Sequence, residues 1–221
     1  RTFTIERAHL VKDFEIQNKQ LIKDQVQSVY NFIIREQKLT EENLKKSLKE
    51  ALDNAHTIMS TIYKNNQDKS DYEIKRLIHD ALVNIRFNNG RGYFFIFDKK
   101  GMSVMHPILP SLEQTNMYQH QDAKGTYLLQ EMIELLKHQD EVFYEWYWKE
   151  SKEAKQEKKK IGLFRNFEPY DWFIGTGEYV QDFEKEVQQK VLQHVQKVRY
   201  GDNGYIFIVN YDTIYFKPYS T

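Results

Sequence analysis

The first 87 residues contain neither glycine nor proline. A run of that length leaves the backbone free to stay helical, because the two residues that break helices are missing. Its apolar residues also recur at the spacing of a helix face. Phe3, Leu10, Phe14, Leu21, Val29 and Phe32 trace one long amphipathic stripe among charged and amide residues. Thr40 followed by Glu41 and Glu42 reads as a second helix start, a hydroxyl N-cap with acids in the first turn. Leu44, Leu48, Ala51, Ala55, Ile58 and Ile62 then hold one face until Asn65–Asp68 ends it. Ser70 with Glu73 predicts a capping box, and Ile74, Leu77, Ile78, Ala81 and Ile85 predict a third helix.

At Asn88-Asn89-Gly90 the pattern changes to strands. Tyr93–Asp98 is aromatic and β-rich, Asp98-Lys99-Lys100-Gly101 predicts a hairpin turn, and Met102–His106 returns until Pro107. A helix is predicted over Thr126–His138, and three more strands over Val142–Lys149, Lys160–Phe167 and Trp172–Gly177. The charged run Lys149–Lys160 mixes lysines with Glu150, Glu153 and Glu157, and reads as a solvated hairpin loop. A last helix is predicted over Val180–Val198. Helices first, then antiparallel hairpins with one intervening helix, imply an α+β fold: about five strands with helices against one face.

Composition narrows the function classes. Thirty-two basic residues balance 32 acidic ones, so nothing pulls the chain as a whole toward nucleic acid, and no nucleic-acid partner is expected. The absence of cysteine removes disulfides, thiolate zinc sites and thiol catalysis. Seven histidines show no paired ligand spacing, so no metal and no cofactor is expected. Gly90-x-Gly92 and Gly175-Thr176-Gly177 both lack the third glycine of a dinucleotide fingerprint, and no hydrolase or phosphate-loop motif occurs, so no catalytic residue is assigned. No apolar run approaches the ~18 residues of a membrane span, and the N-terminus carries charges where a signal peptide needs an apolar core.

The strongest organising feature is an internal repeat. Ile85-Arg86-Phe87-Asn88-Asn89-Gly90-Arg91-Gly92-Tyr93-Phe94-Phe95-Ile96-Phe97-Asp98 returns as Val198-Arg199-Tyr200-Gly201-Asp202-Asn203-Gly204-Tyr205-Ile206-Phe207-Ile208-Val209-Asn210. Each copy follows a helix and leads toward a proline, Pro107 in the first and Pro218 in the second. The division expected is a helical region over 1–84, a first module over 85–180, a connecting helix over 181–198 and the opening of a second, truncated module over 199–221. A continuation of about a hundred residues is expected to complete it. The alternative is that Tyr205–Tyr219 adds to the first sheet as an edge hairpin.

Several segments together resemble the bacterial Cache superfamily, and more closely its double Cache type 2 form. They are Gly92-Tyr93-Phe94-Phe95-Ile96-Phe97-Asp98, Met105-His106-Pro107, Tyr144-Glu145-Trp146-Tyr147-Trp148 and Phe167-Glu168-Pro169-Tyr170-Asp171-Trp172-Phe173-Ile174-Gly175-Thr176-Gly177-Glu178-Tyr179. The resemblance implies a PAS-like antiparallel sheet in each module. It also implies an extracytoplasmic position, with membrane attachment only through flanking helices absent from this chain. The implied role is sensing a small organic ligand, such as a short carboxylic acid, for a histidine kinase, chemoreceptor or cyclic-dinucleotide enzyme. A homodimer through the N-terminal helix is expected, with ligand favouring one arrangement of that helix. His106 matches a position that lines the pocket in such domains, whereas Met105, Leu109, Leu163 and Trp146 stand where relatives carry more polar groups, which implies a more apolar pocket.

A carboxylate calls for a cation or imidazole and a few donors in a mostly apolar concavity. Arg86, Tyr93, His106, Tyr144, Trp146, Trp148 and Glu178 are the candidate ligand-binding residues. Tyr144, Trp146 and Trp148 alternate onto one strand face, where packing alone could also explain them, and Arg86, repeated as Arg199, could instead tie a helix end to the sheet. Two other readings remain open from sequence: a spacer or protein-interaction module without a ligand, and a carbohydrate-binding module using Trp146 and Trp148 as an exposed stacking platform.

Overall fold

A computed structural model of the chain describes residues 2–201 and 203–209. Helix α1 runs unbroken over Thr2–Asn65. The helix start read at Thr40 is therefore corrected: Thr40 is a buried interior residue whose hydroxyl accepts from the Lys190 ammonium at 3.5 Å. With no breaker between Leu39 and Glu42, extending a helix costs less than stopping and nucleating a new one. Helix α2, Asp71–Leu82, begins where the capping box predicts, with Ser70 N–H donating to Glu73 Oε2 at 3.0 Å and Glu73 N–H to Ser70 Oγ at 3.4 Å.

Five strands follow: β1 Phe94–Asp98, β2 Ser103–Met105, β3 Glu141–Trp148, β4 Lys158–Phe167 and β5 Trp172–Tyr179. Helix α3, Leu128–Leu136, lies between β2 and β3 in sequence, and α4, Val180–Val195, continues directly from β5. The sheet order is β2-β1-β5-β4-β3 with every neighbour antiparallel. Long helix, five-stranded sheet and flanking helices agree with the α+β, PAS-like expectation, but helices cover both faces of the sheet and not one.

Alternation along the strands gives the sheet two apolar faces. On one, Phe94, Ile96, Leu163 and Ile174 pack with Leu52, Ala55 and Met59 of α1 and Ile74, Ile78 and Leu82 of α2. On the other, Phe95, Phe97, Phe164 and Phe173 pack with Leu129, Met132 and Leu136 of α3. Replacing a buried leucine such as Leu52 by alanine removes about 2–5 kcal/mol from such a core. Arg165 ties α1 to β4 and β3, its guanidinium shared between Asp53 and Glu141.

By its contacts the chain forms two compact units, Glu41–Glu184, which holds this sheet, and Arg1–Thr40 with Lys185–Thr221. Within the second, Val29, Val187, Val191 and Val195 are buried, and the Phe32 ring stacks on His194 at 3.8 Å between centroids.

The repeat has a structural counterpart. Phe87 bridges to Gly92, and at the matching positions β6, Arg199–Tyr200, pairs with β7, Gly204–Tyr205, as a two-stranded sheet of its own. Arg86 Nη1 donates to the carbonyls of Val83 and Ile85, and Arg199 Nη1 to those of Gln196 and Val198. Both arginines close the end of the preceding helix. The expected return of the second hairpin and its Lys217-Pro218 end lie outside the described residues.

Candidate functional site

The α3 face of the sheet holds a cavity, open on one side, whose floor is made flat by glycine. Gly162 of β4 and Gly175 of β5 point at this face, and the rings of Trp146 and Phe95 lie over them. A Cβ on Gly162 would stand 2.7 Å from Trp146 Cη2, and one on Gly175 2.6 Å from Phe95 Cζ. Only glycine admits rings that close to the backbone. Aromatic side chains form the walls, and His106, Met117, His120 and the start of α3 form the roof. The void between the atoms, counted out to its mouth, is about 410 Å³, but only about 20 Å³ of it can take the centre of a water-sized group. The smaller figure is the one a guest experiences, and it suits a molecule of a few non-hydrogen atoms.

One side chain gives the cavity its chemistry. Lys160 is 1% exposed and lines it from β4, directly opposite Trp146 of β3. Its ammonium donates to Tyr93 Oη at 2.7 Å and stands 4.0 Å from the Tyr93 ring centroid and 5.0 Å from that of Tyr179. An ammonium has three N–H donors, and among the described residues Tyr93 Oη is the only hydrogen-bond acceptor that meets them. Burial pushes the Lys160 pKa down to about 7, while the Glu178 carboxylate raises it in part. The cavity thus contains a lysine that no carboxylate hydrogen-bonds among the described residues.

The other polar groups are donors too. His106 is 2% exposed, and its Nδ1 accepts from Leu109 N–H at 3.1 Å, which leaves the single ring proton on Nε2. Burial, and after it the Lys160 charge, press the His106 pKa down to about 3, so the ring stays neutral. Its ring stacks on Phe95 and tilts over Trp148, with centroids 6.0 and 5.7 Å apart. Trp148 Nε1–H is buried and meets no acceptor among the described residues. A lysine, a neutral imidazole and an unpartnered indole N–H inside an aromatic shell make a site for a small anion.

Of the residues picked from sequence, Tyr93, His106, Trp146 and Trp148 come together around this cavity. Tyr144 packs with the same apolar cluster without lining the void, its hydroxyl donating to Glu131. Arg86 is exposed and spends its guanidinium on the helix-end carbonyls, so it does not reach the cavity. Glu178 is excluded by parity: Gly175 and Gly177 face the cavity, so Glu178 faces the helices. There it accepts from Asn88 Nδ2 and lies 3.2 Å from Arg91 Nη2. These two are corrections to the sequence reading.

Lys160 is the residue that the sequence reading missed. It sits at the end of a charged run that reads as loop, but β4 starts at Lys158 and carries Lys160 into the sheet. Counting alternate positions back from Phe164 and Gly162 would have found it. Leu163, one of the positions from which a more apolar pocket is expected, belongs to the helix-packed face and does not line the cavity. Among the described residues no cluster of histidine and acidic side chains could hold a metal ion.

The dCache_2 family, described as a Cache domain, matches residues 1–220. The methyl-accepting chemotaxis protein McpP of Pseudomonas putida is 31% identical over 101 residues, which make up 45% of this chain and 18% of that receptor. The chain therefore spans under a fifth of that relative's length. A solved methyl-accepting chemotaxis protein from Vibrio parahaemolyticus aligns with a TM-score of 0.59 at 26% identity, over 68% of this chain and 98% of that one. A solved Cache chemosensory domain, described for its carboxylic acid recognition, aligns with a TM-score of 0.59 at 21% identity, over 63% of this chain and 95% of that one.

Proposed function

The chain belongs to the dCache_2 family of Cache domains, and from that premise we propose that it is the extracytoplasmic sensor domain of a transmembrane bacterial receptor that binds a short carboxylate at Lys160. A Cache domain is a ligand-binding module and not a catalyst. The observation that carries the ligand assignment is the fully buried ammonium with a single acceptor, facing a void of a few atoms. A carboxylate there would take the Lys160 N–H groups that Tyr93 leaves over, with His106 and Trp148 as further donors and the aromatic shell around its short tail. The chemotaxis relatives and the carboxylic acid recognition described for one structural neighbour support the same reading.

Two alternatives fare worse. A sugar-stacking platform needs exposed rings, and Trp146 and Trp148 are 4% and 7% exposed. A spacer without a ligand would have no use for an unpaired buried cation, which costs stability in an apolar site. The proposal includes a homodimer through α1, supported by exposed apolar side chains such as Leu10, Phe14, Ile22, Val26 and Ile34 along it. Sedimentation at several concentrations tests that part.

Isothermal titration with formate, acetate, propionate and lactate tests the ligand. Saturable binding of at least one of them is expected, with proton uptake above pH 7 because the bound anion favours charged Lys160. Absence of heat and of thermal stabilisation with all four would overturn the assignment.

A further inference from the structure

A second chamber of about 220 Å³ adjoins the Lys160 cavity, and Met117, His120 and Trp148 line both. We propose that these three side chains form a partition that limits ligand length, and that the space behind it takes an aliphatic tail only when that wall is shortened. The inference rests on carboxylate binding at Lys160.

The outer chamber has the walls such a tail requires. Leu109, Leu112, Met117 and Trp148 line its apolar part, and Ser111, Lys149, Lys152 and Glu157 stand at the polar part that opens to solvent. By the measure that leaves the inner cavity about 20 Å³ for atom centres, the outer chamber offers about 220 Å³. Capacity is therefore set by the partition and not by the space beyond it.

The backbone that carries the partition is pinned. Met117 N–H donates to the Gly101 carbonyl at 2.8 Å, His120 N–H to the Met117 carbonyl at 3.0 Å, and Gln130 of α3 holds the Tyr118 carbonyl at 2.9 Å. Trp148 belongs to β3, where the preceding Tyr147 N–H is bound by the Asp122 carboxylate. Of the three, the Trp148 indole is rigid. Met117 is half-buried, unbranched and able to take several shapes, and His120 edges onto Trp148 with its Nε2 only 4.0 Å from Glu157. Shortening Met117 or His120 would join the two spaces while leaving Lys160 in place.

The test is a chain-length series from acetate to hexanoate, titrated into the wild type, Met117→Ala and His120→Ala. The wild type is expected to prefer two or three carbons and to lose affinity beyond. In each variant, every methylene added after propionate is expected to strengthen binding by about fourfold, the gain from burying one CH₂, so that hexanoate overtakes propionate. Met117→Ala and His120→Ala remove different side chains of the wall, so if one fails to fold the other decides. A variant that still binds propionate but keeps the wild-type length profile overturns the partition and leaves the carboxylate reading intact. Wild-type binding of hexanoate as tightly as propionate does the same. A wild type that binds no member of the series overturns both.

Discussion

Replacing Lys160 by methionine keeps the length and most of the volume of the side chain and removes its charge. In the folded protein Lys160 loses its proton near pH 7, against 10.5 for the free side chain. At about 1.4 kcal/mol per pH unit, that gap makes the charged form about 5 kcal/mol less favourable in the cavity than in water. Between pH 7 and 10.5 the unfolded chain holds a proton that the folded chain has released, so wild-type stability rises with pH across that window. Below pH 7 both states are protonated and the penalty is present in full. Lys160→Met is therefore expected to exceed the wild type by up to about 5 kcal/mol at pH 6, less the lost contacts to Tyr93, and by under about 1 kcal/mol at pH 10. Urea unfolding followed by tryptophan fluorescence reads the relevant unit, because Trp146, Trp148 and Trp172 all lie on its sheet. Saturating propionate should narrow the difference at pH 6 by stabilising only the wild type. A difference between the two proteins that stays constant from pH 6 to pH 10 would refute the reasoning, whatever the stability of either.

Two further outcomes follow from the same surroundings. Gly175→Ala should push the Phe95 ring off the sheet, costing about 1–3 kcal/mol by overpacking and abolishing acid binding, which thermal unfolding with and without propionate measures together. Asp122→Ala releases the backbone N–H groups of Lys124, Thr126 and Tyr147 that its carboxylate now accepts. A loss of about 2–3 kcal/mol is expected, with faster amide exchange at Tyr147 and its neighbours in β3.

Elements whose signal is local were legible in the sequence. The Ser70–Glu73 box placed α2, and the hairpin at Asp98–Gly101 appears with Gly101 at a φ of +88° and Asp98 Oδ1 accepting from Lys100 and Met102 N–H. Thr40 misled because a capping residue is only a local preference, and nothing at that point stops the helix. Strand parity places Trp146 and Trp148 on one face, and the same parity along β4 and β5 puts Lys160 on that face and Glu178 on the other. Met117 and His120 could not have been found in this way. They stand on an aperiodic segment, placed by hydrogen bonds to Gly101 and α3 that join residues distant in sequence.

Lys160 and Ile161 are consecutive on β4, yet one faces the cavity and the other packs with Leu44 and Leu48 of α1. A guest that drew the lysine inward would therefore pull on the same stretch of backbone that holds Ile161 against the helix. The two faces of β4 are one peptide unit apart.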